Sequence, residues 1–128
     1  MWKLACIAGG GAVGALLRYG AGSLVARAYG GTFPLATMTV NLAGSLAIGV
    51  CLGLFEQAVV SEAVRAGLLI GLLGAFTTFS TFSLETVQLL RDRQYVPALA
   101  NVGISCAVGI ALVFAGLFVG RWAAGAVR

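Results

Sequence analysis

Residues 66–84 read AGLLIGLLGAFTTFSTFSL and contain no charged side chain. A mostly apolar run of about 20 residues is long enough to cross the hydrocarbon core of a bilayer as a helix. Its second half is nevertheless crowded with threonine and serine, and polar side chains are expensive to place against lipid. The sequence therefore predicts a membrane helix that carries a functional or structural polar segment.

The rest of the chain is equally apolar. Charged residues divide it into four stretches, which predict membrane spans at about 4–26, 33–55, 66–90 and 95–120. The chain is 60% hydrophobic and only 9% charged, whereas a soluble domain carries about 25% charged residues. The connections are too short to hold a soluble domain. Residues 1–128 are therefore predicted to form one all-α, multi-pass membrane unit of four helices.

The composition also excludes most catalytic chemistry. The chain has no histidine, and its four acidic residues are too scattered to form a carboxylate pair. Histidine is the commonest general base and metal ligand in proteins. The three cysteines lie in apolar runs and are interpreted as small buried hydrophobic residues. These residues do not predict an enzyme. Because the net charge of +4 is spread thinly along the chain, a nucleic-acid-binding protein is not predicted either.

The first span also has features of a secretory signal peptide, since Lys3 precedes an apolar run with small residues. Two observations oppose cleavage. Arg18 would interrupt the apolar core of such a peptide, and its removal would leave three spans. We expect the first span to be retained.

Basic residues outside the spans are almost evenly divided between the two ends of the predicted bundle. Four lie at the end that holds the N-terminus and three at the other, and Arg18 makes up the total of eight. The two sets are Lys3, Arg65, Arg121 and Arg128, and Arg27, Arg91 and Arg93. Orientation normally follows this bias. Either another signal orients the chain, or it inserts both ways and pairs with an inverted copy of itself.

Glycine spacing predicts close contact between helices. The chain has 19 glycines, and four pairs lie four residues apart within spans. These pairs are Gly10/Gly14, Gly49/Gly53, Gly67/Gly71 and Gly116/Gly120. Small residues at this spacing allow membrane helices to approach closely.

The segment 74–83, GAFTTFSTFS, predicts a break in the third helix. Hydroxyl side chains compete for backbone hydrogen bonds, and we place the break between residues 74 and 79. Such a break frees carbonyl oxygens, which can bind a cation or water. Phe79 and Phe82 share a face if the following segment is helical. They are interpreted either as ordinary aromatic packing or as ring edges that meet an anion.

Further polar residues lie inside the other spans. The amide of Asn41 can donate to an anion or form a bond between helices. Asn101 and Ser105 share a helix face and supply further donors. Arg18 either attracts anions or pairs with backbone carbonyls, and the sequence does not select a partner for Glu85. This inventory is rich in donors and lacks a central acid, which favours a small anion.

Three segments carry a specific resemblance: residues 10–19 (GGAVGALLRY), 40–44 (VNLAG) and 71–83 (GLLGAFTTFSTFS). Through them the chain resembles the Fluc (CrcB-like) family of fluoride channels along essentially its whole length. Small departures occur at Leu73, where the family often has cysteine, and at Ala36, where it usually has glycine. Neither position belongs to the expected pore.

The resemblance implies an antiparallel, dual-topology homodimer with two pores in the cell inner membrane. Its expected partners are a second copy, the lipid bilayer and fluoride, which would flow passively out of the cytoplasm and so become less toxic to the cell. Backbone carbonyls of Gly74 and Thr77 would bind a structural Na⁺ that is not transported. Arg18 would lie in the vestibule. The implied pore residues are Asn41, Phe79, Thr81, Phe82, Ser83, Asn101 and Ser105.

Two other functions are compatible with a small four-helix membrane protein. A proton-coupled multidrug exporter would need an acid in the first span, which instead contains Arg18. A non-transporting scaffold would use the glycines and polar residues for packing alone. Fluoride flux into or out of liposomes would separate a channel from both alternatives.

Overall fold

The computed structural model describes residues 1–126, none of which lies in a β-strand. Arg128, counted above among the basic residues, lies outside the described residues. The helices, in chain order, are α1 (Trp2–Ala28), α2 (Leu35–Phe55), α3 (Glu62–Ala66), a π-helix (Gly67–Leu73), α4 (Gly74–Phe76), α5 (Phe79–Arg91) and α6 (Tyr95–Ala126).

These elements confirm the predicted all-α membrane fold. Within the described part of the chain, four helical spans are long and apolar enough to cross a membrane. The third of them, Glu62–Arg91, is a composite of α3, the π-helix, α4 and α5. The protein is therefore a multi-pass membrane protein whose third span is broken, as the hydroxyl-rich segment predicts.

Local sequence signals set several helix ends. The side chain of Ser61 caps α3 by accepting a hydrogen bond from the amide of Val64. At the end of α5, Arg93 adopts a left-handed conformation with φ of 57°. The amides of Arg93 and Gln94 then donate back to the carbonyls of Leu90 and Leu89. This pattern closes a helix C-terminus and lets α6 begin directly afterwards.

Helix α1 packs against the first half of the third span through glycine. A Cβ atom added to Gly14 would overlap the backbone carbonyl of Leu72, and one added to Gly71 would lie 2.6 Å from the carbonyl oxygen of Ile7. Gly10 and Gly67 also approach the opposing backbone across this interface, Gly67 less closely, with 3.0 Å from an added Cβ to the carbonyl oxygen of Cys6. The two backbones are thus in direct contact, which is how helices associate without a hydrophobic driving force in lipid.

Helices α2 and α6 form a second interface of the same kind. An added Cβ at Gly53 would lie 2.5 Å from the carbonyl oxygen of Leu117. On the opposing helix, a Cβ at Gly116 would overlap the carbonyl of Leu46, and the same holds for Gly120 and Val50. The four glycine pairs seen in the sequence therefore serve two reciprocal interfaces, and the predicted close packing is confirmed.

The π-helix is a feature that the sequence did not predict. It occupies Gly67–Leu73, and at its end the amide of Gly74 donates to the carbonyl of Leu69, five residues earlier. Segments of π-helix are rare and often occur near functional sites. Here the segment is followed by the short helix α4, after which the third span breaks.

Ion pairs join the helix ends at the side of the N-terminus. Lys3 pairs with Glu62, and Arg121 forms a two-point contact with Glu56 at 2.6 and 3.0 Å. The hydrogen bonds from Arg121 hold the pKa of the Glu56 carboxyl below its ordinary value. Exposed pairs of this kind contribute little stability, so they fix the register of the helix ends more than they hold the bundle together.

Candidate functional site

Thr77 and Thr78 form the break in the third span. Both adopt extended conformations, with φ and ψ of −85° and 159° for Thr77 and −150° and 111° for Thr78. The side chain of Thr78 then caps α5 by accepting a hydrogen bond of 3.2 Å from the amide of Thr81. A hydroxyl residue therefore both permits the break and restarts the helix after it.

Asn41 on α2 holds this break from the side. Its Nδ2 donates to the Thr78 carbonyl at 3.0 Å, and the Thr78 amide donates to its Oδ1 at 2.8 Å. Because one backbone group donates and the other accepts, the orientation of the amide is fixed by its partners. Asn41 therefore makes the helix–helix bond that was one of its two predicted roles. A primary amide has two N–H groups, so one donor remains beyond this pair.

The break also changes the surroundings of two carbonyl oxygens. In an unbroken helix, the amides of Thr78 and Thr81 would donate to the carbonyls of Gly74 and Thr77. Instead, the Thr78 amide donates to Asn41 and the Thr81 amide to the Thr78 hydroxyl. Gly74 and Thr77, the two positions expected to bind Na⁺, are thus among the residues whose carbonyls lose their helical hydrogen-bond donors at the break.

A central cleft of about 350 Å³ opens beside the break. Its lining includes four of the predicted pore residues, Asn41, Phe79, Phe82 and Ser105, together with Gly74 and Thr77. The ring centroids of Phe79 and Phe82 lie 5.5 Å apart, and the two ring planes make an angle of 41°. Phe79 is 78% exposed in the single chain, so these two rings border the cleft and are not packed in a core.

Ser105, on α6, supplies a further donor to the central cleft. Its hydroxyl oxygen is buried and has no hydrogen-bond partner in the described part of the chain. Buried polar atoms in native proteins almost always have a partner. The Ser105 hydroxyl is therefore available to a group from outside this chain.

A second, smaller cavity of about 130 Å³ contains Arg18. We call it the Arg18 cavity; its other lining residues are Gly22, Ala36, Thr37, Val40, Thr78 and Thr81. Thr78 thus lines both this cavity and the central cleft. At its margin the Thr37 hydroxyl donates to Glu85 at 2.7 Å, so the partner observed for Glu85 is a hydroxyl.

Two predicted pore residues do not line either cavity. The Ser83 hydroxyl donates to the carbonyl of Phe79, one helical turn earlier, at 2.9 Å. Asn101 is 1% exposed, and its amide donates to the Thr86 hydroxyl at 2.9 Å. In the single chain, Asn101 therefore joins α6 to α5, and the pore roles of Ser83 and Asn101 stay predictions.

The structure adds residues that the sequence analysis did not assign to the site. Thr78, Gly44, Ser45 and Cys106 all line the central cleft. Three of these carried a usable signal. Thr78 precedes a helical run and so has the position of a capping residue, whereas Gly44 and Ser45 follow Asn41 at the spacing of one helical turn.

Comparison with known proteins agrees with this geometry. The model of the family described as CrcB-like protein, Camphor Resistance (CrcB), matches residues 5–117. A protein of Symbiobacterium thermophilum named Fluoride-specific ion channel FluC 2 is 46% identical over 114 residues, which cover 88% of this chain and 93% of that protein.

Two further relatives match over similar lengths. Fluoride-specific ion channel FluC of Chloroflexus aurantiacus is 42% identical over 98% of this chain and 100% of its own length. The protein of the same name in Idiomarina loihiensis is 45% identical over 88% of this chain and 87% of its own. These matches confirm the resemblance drawn from the three sequence segments: the chain belongs to the CrcB-like protein family.

Proposed function

We propose that this chain forms a fluoride-selective channel in the cell inner membrane, through which fluoride leaves the cytoplasm passively and its toxicity falls. One observation carries the proposal most directly. The Asn41 amide, the Ser105 hydroxyl and two phenylalanine rings border one cleft at a helix break, and none of the described residues that line this cleft is acidic. The names of the relatives support the choice of fluoride among small anions.

The chemistry of the cleft suits a small, strongly hydrated anion. To enter a narrow path, fluoride must exchange water for donors that the protein supplies. The second N–H of Asn41 and the unpaired hydroxyl of Ser105 are such donors. The positive edges of Phe79 and Phe82 attract an anion more weakly than a formal cation does. The ion is therefore bound strongly enough to enter and weakly enough to leave.

The complete channel is proposed to be an antiparallel dimer with two pores. In the single chain the central cleft is open on one side and leaves Phe79 largely exposed. Polar groups facing lipid would be costly, which favours a covering partner. The near balance of basic residues between the two ends supports insertion in both orientations, and a second inverted copy would close the cleft.

A structural Na⁺ fits the backbone at the break. The carbonyls of Gly74 and Thr77, freed of their helical donors, would hold it, and oxygen ligands from unwound backbone suit this ion. When bound, Na⁺ would supply positive charge that fixes the broken helices. If this assignment is right, removal of Na⁺ weakens flux or dimerisation, whereas a channel indifferent to Na⁺ would contradict it.

Fluoride flux from liposomes tests the function. Purified protein is reconstituted, and the release of fluoride and of chloride is followed with ion-selective electrodes in the absence of a proton gradient. We expect rapid release of fluoride and retention of chloride. If fluoride release equals that of protein-free liposomes, the chain is not a channel and the scaffold alternative stands. A requirement for a proton gradient would instead favour a coupled exporter.

A further inference from the structure

We infer that Gly44 is a positioning residue, and that its missing side chain sets the place of the Thr77 backbone at the break. This inference rests on the proposed function, because it concerns the same break. It assigns a role to a buried residue of α2 that lines the central cleft but offers it no polar group.

Gly44 lies against the break and not against a neighbouring helix backbone. A Cβ atom added to Gly44 would overlap the Cγ2 methyl of Thr77 and would lie 3.3 Å from the Phe76 ring. The other glycines of α2, Gly49 and Gly53, approach the backbone of α6 instead. Gly44 is therefore the glycine of α2 that is matched to the broken helix.

Turning the Thr77 side chain away from such a Cβ would cost a hydrogen bond. Its amide and its hydroxyl both donate to the carbonyl of Leu73, each at 3.1 Å. Moving the methyl group to another rotamer would break the hydroxyl bond, and β-branched side chains have few rotamers to choose from. An alanine at position 44 must therefore push the Thr77 backbone away from α2.

The displacement would reach the chemistry of the break in two ways. The Thr77 carbonyl is a proposed Na⁺ ligand, and the next residue, Thr78, is held by the two hydrogen bonds from Asn41. Asn41 lies three residues before Gly44 and on the same face of α2. Asn41 therefore holds the break by hydrogen bonds, and Gly44 sets how closely the break approaches α2.

A compensating pair of substitutions tests this contact. Gly44→Ala adds the Cβ, and Thr77→Ser removes the methyl that it would meet while keeping the hydroxyl that bonds to Leu73. Fluoride release from liposomes is measured as a function of Na⁺ concentration for each single variant and for the double variant. Gly9→Ala is the matched control, since a Cβ at Gly9 meets nothing within 4 Å.

Because overpacking shifts the backbone, we expect Gly44→Ala to lower flux on the order of tenfold and to raise the Na⁺ concentration for half-maximal flux. The double variant should recover both quantities to within about twofold of Thr77→Ser, because the overlap is gone. Gly9→Ala alone should resemble the wild type, and Thr77→Ser is the background against which the double variant is compared.

Three results would overturn the inference: unchanged flux in Gly44→Ala, no recovery in the double variant, or reduced flux with an unchanged Na⁺ response. If Gly44→Ala fails to assemble, size-exclusion chromatography of the double variant tests the contact instead. A restored dimer with a restored Na⁺ response supports the contact, and continued failure to assemble contradicts it. A wild-type protein that releases no fluoride would instead end the proposed function.

Discussion

The two halves of the third span are held in different ways. The first half, Glu62–Phe76, lies backbone to backbone against α1 through reciprocal glycines. The second half, α5, buries only Leu89 among its residues and is attached mainly by hydrogen bonds. One of these joins Asn41 to Thr78 at its start and another joins Asn101 to Thr86 along its length. We call the first half, Glu62–Phe76, the anchor, and the second half, α5, the arm.

This difference follows the composition of the two halves. Residues 66–73 are aliphatic or glycine, which suits tight packing in lipid, whereas residues 77–83 alternate hydroxyls with phenylalanine. The arm therefore keeps its functional side chains out of helix–helix contacts. We expect substitutions in the arm to change conduction and substitutions in the anchor to change stability.

The largest effect is expected from Phe82→Ile in the arm. Isoleucine retains an apolar side chain but has no aromatic edge to meet an anion, so fluoride flux should be nearly abolished while the dimer persists. Liposome flux and size-exclusion chromatography of the same preparation measure the two properties. Wild-type flux in this variant would remove the argument from ring edges, and loss of the dimer would show that the arm also carries packing energy.

In the anchor, Gly14→Ala should act on stability. Its Cβ would overlap the Leu72 carbonyl, and overpacking of this kind costs about 1–3 kcal/mol. Gly9→Ala in the same helix adds a Cβ where there is space, and alanine is there the better helix former. Thermal unfolding in detergent should place Gly14→Ala below the wild type and Gly9→Ala at or above it. Equal melting temperatures for the two variants would contradict the anchor.

A smaller effect is expected where the arm is tied to α6. Thr86→Val preserves shape but removes the acceptor of the buried Asn101 amide, and a hydrogen bond between membrane helices contributes about 0.6 kcal/mol on average. Thermal unfolding should show a modest loss, and Thr39→Val, which removes only a hydroxyl bond within α2, should show less. If the two variants are equally stable, the bond from Asn101 does not hold the arm.

The smallest effect concerns the ion pair between Glu56 and Arg121. The folded state lowers the pKa of Glu56, so the pair stabilises the fold above the ordinary glutamate pKa, and this contribution disappears as pH falls through the lowered value. Glu56→Gln should therefore flatten the acid side of a plot of melting temperature against pH and change flux by less than about twofold. An unaltered pH profile in this variant would show that the pair contributes nothing measurable.

Composition and spacing were sufficient to predict the four spans, the broken third helix and the close packing of the glycine pairs. They were not sufficient to predict which helix or side chain each residue contacts. Gly10 and Gly14 could have faced any other helix, and only the fold shows that they meet the π-helix. The resemblance implied pore roles for Ser83 and Asn101; in the single chain Ser83 donates to the Phe79 carbonyl and Asn101 to the Thr86 hydroxyl. Such assignments depend on contacts between elements distant in sequence.

The gathering of both ion pairs at one end of the bundle has a consequence for the proposed dimer. Two inverted copies would place one such charged end in each leaflet, related by a twofold axis in the plane of the membrane. The channel would then present the same surface to the cytoplasm and to the outside. Current through it should show no rectification in symmetric solutions, because the twofold symmetry gives neither direction of fluoride flow an advantage.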